Sequence, residues 1–129
     1  MVTDGSAPDA ALHALCQAIV GDIVYATRDW ELIVLVFELE GRTSDFGYVF
    51  ETGDRWEAET PENWDVLSLA KAFRASTAQP GAPGWKKCLL RIERASGAVQ
   101  VDFDHSGEKW QPDYADPATF ARRLRDWPR

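Results

Sequence analysis

Apolar positions along this chain follow two rhythms, one helical and one extended, and their order predicts an α+β fold. Leu12, Leu15, Cys16, Ile19 and Ile23 recur at helical spacing and make one stripe. Ser6, Pro8 and Asp9 ahead of it supply a cap, a first-turn proline and an acid facing the helix dipole, and Gly21 marks the end. Trp30 to Glu40 reads as a strand. The unbroken run Leu32 to Phe37 predicts burial on both faces, after which Phe37 and Leu39 alternate with Glu38 and Glu40. Gly41 to Ser44 is a turn. Asp45 to Glu51 returns with Phe46, Tyr48 and Phe50 on one face and Asp45, Gly47, Val49 and Glu51 on the other. Thr52-Gly53-Asp54 turns again, toward a short third strand around Arg55 to Ala58.

Thr60-Pro61-Glu62 predicts a second helix start, followed at helical spacing by Trp64, Leu67, Ala70 or Lys71, and Phe73 or Arg74. Gln79 to Gly84, with two prolines and two glycines, is a loop. Trp85 to Arg94 and Ala98 to Asp104, joined by Ser96-Gly97, form a second hairpin. Val99, Val101 and Phe103 are expected inward, with Gln100, Asp102 and Asp104 outward. A polar loop from His105 to Ala115 leads to a last helix opened by Asp116-Pro117, with Phe120, Leu124 and Trp127 as its stripe. The order α-ββ(β)-α-ββ-α predicts an antiparallel sheet of 4–5 strands with helices packed mainly on one face. The 129 residues fit a single domain, 1–129, with residues 1–6 expected to be flexible.

Charge sharpens this picture. The net charge is −7, yet residues 1–65 hold 14 acids against 3 arginines, while residues 66–129 hold 7 acids against 11 lysines and arginines. An acidic field repels nucleic acid and anionic membranes and attracts basic proteins, so neither nucleic acid nor membrane is expected as a direct partner. The longest apolar run is six residues, too short to span a bilayer. Met1 to Asp9 carry two acids and no lysine or arginine, unlike a secretory leader. Cys16 and Cys88 sit among apolar neighbours and read as buried thiols. A cytoplasmic protein is the expectation.

Reactive chemistry is sparse. His13 reads as a solvated helix residue. Asp102, Asp104 and His105 have the residue types for a divalent cation site, set against a solvated strand edge running into Ser106-Gly107. No phosphate cradle and no zinc spacing is present, and no cofactor is expected. The distinctive feature is a run of carboxylates, Glu51, Asp54, Glu57, Glu59, Glu62 and Asp65, with Arg55 opposing them and Trp56 and Trp64 interleaved. One reading is a solvated hairpin tip and helix start. The other is an interface in which carboxylates steer a basic partner and a tryptophan anchors it. That reading assigns Glu51, Asp54, Trp56, Glu57, Glu59, Glu62 and Asp65 to partner binding.

From about residue 10 to 127 the chain resembles the YezG-like family of bacterial immunity (antitoxin) proteins. The resemblance rests on Trp30-Glu31-Leu32-Ile33-Val34-Leu35-Val36-Phe37-Glu38, on the aromatic strand Phe46-Gly47-Tyr48-Val49-Phe50, and on the Trp85-led strand. It continues through Val101-Asp102-Phe103-Asp104 to Asp116, Arg123 and Trp127. His105 stands where the family usually has tyrosine, and the returning strand leads into an unusually acidic turn. The resemblance implies a cytoplasmic protein without enzymatic activity that binds a cognate toxin, typically a nuclease, and blocks it. Two other functions compete: an acidic adaptor for another basic protein, and a small metal-dependent enzyme using Asp102, Asp104 and His105.

Overall fold

From Leu32 to Phe37 the strand β1 (Trp30–Glu38) is buried at every position. A strand apolar on both faces must lie between two covering layers, and the fold is built around that requirement. The computed structural model describes residues 7–40 and 43–127. The expected flexibility of residues 1–6, the Ser6 cap and the Gly41-Arg42 part of the turn lie outside the described residues. Strands β2 (Ser44–Glu51) and β4 (Lys87–Glu93) flank β1, while β3 (Trp56–Ala58) and β5 (Val99–Asp104) form the edges. The sheet is antiparallel throughout, in the order β3-β2-β1-β4-β5. Ile33, Leu35 and Phe37 face one layer and Leu32, Val34 and Val36 the other.

Three helices, α1 (Ala7–Val20), α2 (Ile23–Ala26) and α3 (Asp65–Ser76), share a core with Ile33, Leu35, Phe37, Val49 and Leu90. Both cysteines belong to this side, as free thiols. Burial pushes Cys16 up to about 11, and pushes Cys88 up as well. The fourth helix, α4 (Pro117–Arg125), covers the opposite face, so the sheet is a filled middle layer. Asp116 caps α4 by accepting from Thr119 N–H at 3.2 Å, and Pro117 occupies the first turn, as the sequence predicts. Phe120 of α4 meets the aromatic ladder of β2, with ring centroids 6.0 Å from Phe46 and 6.1 Å from Tyr48. Among the described residues no helix is long and apolar enough to cross a membrane.

Several sequence expectations are corrected. The first helical stripe does not run on to Ile23. The chain breaks at Gly21, and Asp22 caps a separate turn of helix by accepting from Val24 N–H at 3.1 Å. That change of axis buries Tyr25 and leaves Ile23 65% exposed. The second long helix starts at Asp65 rather than at Thr60-Pro61-Glu62; the N–H groups of Glu62 and Asn63 donate to Asp22, and Asn63 Oδ1 accepts from Asp65 N–H at the helix start. Asp104 is buried rather than outward, and Trp110 is buried as well. Val99 and Phe103 lie on the predicted face but remain 41% and 36% exposed at the sheet edge.

Gly47, opposite Leu35 on the three-helix side, is required by close approach. A Cβ there would lie 2.2 Å from the Val34 carbonyl oxygen and 2.6 Å from Leu35 Cδ2. Gly47→Ala is expected to cost about 2 kcal/mol, because β1 is pinned between two strands and cannot recede. A denaturation midpoint unchanged from wild type would contradict that packing.

Candidate partner-binding surface

The segment 59–65 is fixed by one buried carboxylate. Asp22, 5% exposed, accepts from Glu62 N–H at 3.2 Å and Asn63 N–H at 2.9 Å while it caps α2. Asn63 Oδ1 then accepts from Asp65 N–H at 2.9 Å and starts α3. Upstream, Glu59 N–H donates to the Gly47 carbonyl at 3.1 Å. The segment is thus tied to β2 at one end and to the α1–α2 junction at the other. Trp64 projects from it, 82% exposed. Val66, Ala70 and Phe73 are the buried stripe of α3, and Trp64 lies about 200° from Val66 at a helix's 100° per residue.

Arg28, which follows α2, gathers the predicted glutamates on the same side. It lies 3.6 Å from Glu51, 3.2 Å from Glu57 and 2.5 Å from Glu59, and its Nε donates to the Val24 carbonyl at 3.0 Å. The hydrogen bond to Glu57 raises the Arg28 pKa, against the opposing effect of partial burial. One guanidinium cannot balance three carboxylates, so this cluster stays negative. A shallow cavity of about 350 Å³ adjoins it, lined by Asp45, Thr60, Pro61, Glu62, Asn63, Trp64 and Leu67. Glu62 and Asp65 are exposed.

Burial holds the Asp45 carboxyl above its usual range, with a backbone hydrogen bond opposing. Its charged form is therefore disfavoured in the folded state at neutral pH, and that penalty fades as pH falls and the group protonates. Asp45→Asn should raise Tm at pH 7, with the gain shrinking as pH falls through the carboxylate range. A lower Tm for the variant at pH 7 would contradict this.

Two members of the predicted set stand apart. Trp56 points to the other face, half-buried and edge-on to Tyr48 at 5.5 Å, so it is a packing residue rather than an exposed anchor. Asp54 pairs with Arg125 of α4 at 3.6 Å. The acidic and basic halves of the chain are not two surfaces either: Glu38 pairs with Lys87 at 3.8 Å and Glu40 with Lys86 at 3.3 Å. Glu51, Glu57, Glu59, Glu62 and Asp65 do share the side that carries Trp64. Asp22, Arg28 and Asp45 are contributors the sequence reading missed. Only Asp22 and Asn63, the first residue of each of the Asp22-Ile23 and Asn63-Trp64 pairs, hint at caps, and their meeting is a tertiary event.

The cation constellation is not assembled. Both oxygens of Asp104 are engaged by its own loop: Oδ1 accepts from Ser106 N–H at 3.0 Å and Ser106 Oγ at 2.6 Å, and Oδ2 from Lys109 N–H at 3.0 Å. Burial raises the Asp104 pKa, but these bonds outweigh it and the net shift is downward. Among the described residues no group of three His, Cys, Asp or Glu could hold a metal ion. No family model matches the chain, and no curated protein matches it in sequence.

Proposed function

We propose that the chain is a cytoplasmic immunity protein that binds a basic toxin domain, a nuclease or another nucleic-acid-targeting protein, and blocks it without catalysis. The observation that carries this reading is Trp64, exposed on the segment that carries Glu62 and Asp65 and that continues from Glu59 of the Arg28-centred cluster. A tryptophan held in water by a hydrogen-bonded segment is a large ready-made contact, and tryptophan is enriched among residues that dominate binding energy. The surplus carboxylates around it would meet the positive cleft with which a nuclease grips phosphate, and would speed encounter. The resemblance to the YezG-like family points the same way. An adaptor for another basic protein would use the same surface.

The neighbouring gene separates the two. Its product, expressed alone, should arrest growth. Co-expression of this chain should restore growth and give a stable complex on purification. A harmless neighbour, or a toxic one that neither binds this chain nor is silenced by it, would overturn the immunity reading.

A further inference from the structure

Strand β5 is an open edge. The Ala98 carbonyl accepts from Glu93 N–H and the Asp104 carbonyl from Lys86 N–H, both at 2.9 Å, so the even-numbered main-chain groups of β5 face β4. Antiparallel strands alternate inward and outward bonding. The N–H and C=O groups of Val99, Val101 and Phe103 therefore point away from the sheet, and among the described residues none bonds to them. Edge strands are ordinarily guarded by lysine, proline, bulges or brevity. The opposite edge, β3, is three residues long, whereas β5 has six and holds neither lysine nor proline. Val99 and Phe103 are among the exposed large apolar side chains.

We infer that β5 pairs with β5 of a second copy of this chain, antiparallel and centred on Val101, to give one continuous sheet through a two-fold dimer. The register follows from the side chains. Centred on Val101, each Val99 lies opposite Phe103 of the other copy and Val101 opposite its own equivalent. All three outward-facing residues then form hydrogen-bonded pairs, each exchanging both main-chain bonds. On the other face Gln100 meets Asp102, repeating across the strands the amide-to-carboxylate bond that Gln100 Nε2 makes to Asp102 Oδ2 at 3.0 Å within one chain. A register centred on Asp102 would oppose two carboxylates at the close, non-hydrogen-bonded spacing of about 4.5 Å. One centred on Gln100 would leave Phe103 facing Gly97. Self-complementarity of a single patch is what a two-fold interface requires.

Sedimentation of the purified full chain at micromolar concentration should give a dimer. Val101→Pro removes an outward N–H without touching the bonds to β4. It should sediment as a monomer with its melting transition retained. Val101→Cys places two thiols across the axis with Cα atoms about 5.5 Å apart, within disulfide range. It should become a covalent dimer on oxidation and revert with reductant, while wild type does not. A monomeric wild type overturns the inference, as does a dimer that survives Val101→Pro or a Val101→Cys dimer that fails to cross-link. Should Val101→Pro fail to fold, the cross-link decides.

Discussion

Phe37→Ala is expected to remove about 4 kcal/mol of stability, within the range for truncating a buried aromatic. Phe37 is fully buried, paired across the sheet with Asp45 and Cys88, and packed on the three-helix side. Its neighbours cannot collapse into the space. The backbone of β1 is held by ladders on both flanks, and α4 blocks retreat toward the other face. The loss is therefore the transfer free energy of the ring plus an unfilled cavity. Urea unfolding should show a lower midpoint with an unchanged slope. Phe103→Ala, at the open edge, should lose much less. Equal losses at the two positions would contradict the burial pattern.

Trp64→Ala is expected to weaken the partner complex by about 3 kcal/mol, roughly a hundred-fold in Kd, while Tm barely moves. The two readouts separate because Trp64 lies off the buried stripe of α3, and its segment is held by main-chain bonds to Asp22 and Gly47. Asp22→Ala should do the reverse of this separation, since it frees the segment and uncaps α2. Both stability and affinity should then fall. Calorimetric titration with the neighbouring gene's product, beside thermal melts, checks both.

Legibility followed the range of the interactions. Strand β1 could be read directly, because an unbroken apolar run between charged ends has no exposed face in any sheet. The start of α4 could be read because Asp116-Pro117 is a local capping arrangement that needs no distant partner. The start of α3 could not. Thr60-Pro61-Glu62 has the right residue types, but the course of that segment is set by its contact with Asp22, 40 positions earlier, and the local cap is Asn63. Asp104 misled for a related reason. Alternation assigns a carboxylate to solvent, while its actual donors, Ser106 and Lys109, come from the loop that folds back over it.

The candidate surface shows the same division. Crowding of carboxylates was visible in sequence, as was an interleaved tryptophan. Sequence could not distinguish Trp56 from Trp64. The alternation of β3 sends Trp56 to the α4 side against Tyr48, and the helical phase of α3 turns Trp64 outward. Arg28 was equally hidden, since its three glutamate partners lie 23 to 31 positions away in sequence.

The most direct measurement is the association rate of this chain with the product of the neighbouring gene, for wild type and for Glu59→Lys/Glu62→Lys/Asp65→Lys, from low salt to about 0.5 M, where the Debye length falls to only a few Å. The wild-type rate should drop steeply with salt, and the variant, still folded, should start slow and change little. Rates that are equal for the two proteins at low salt, or flat across the salt range for wild type, would contradict it.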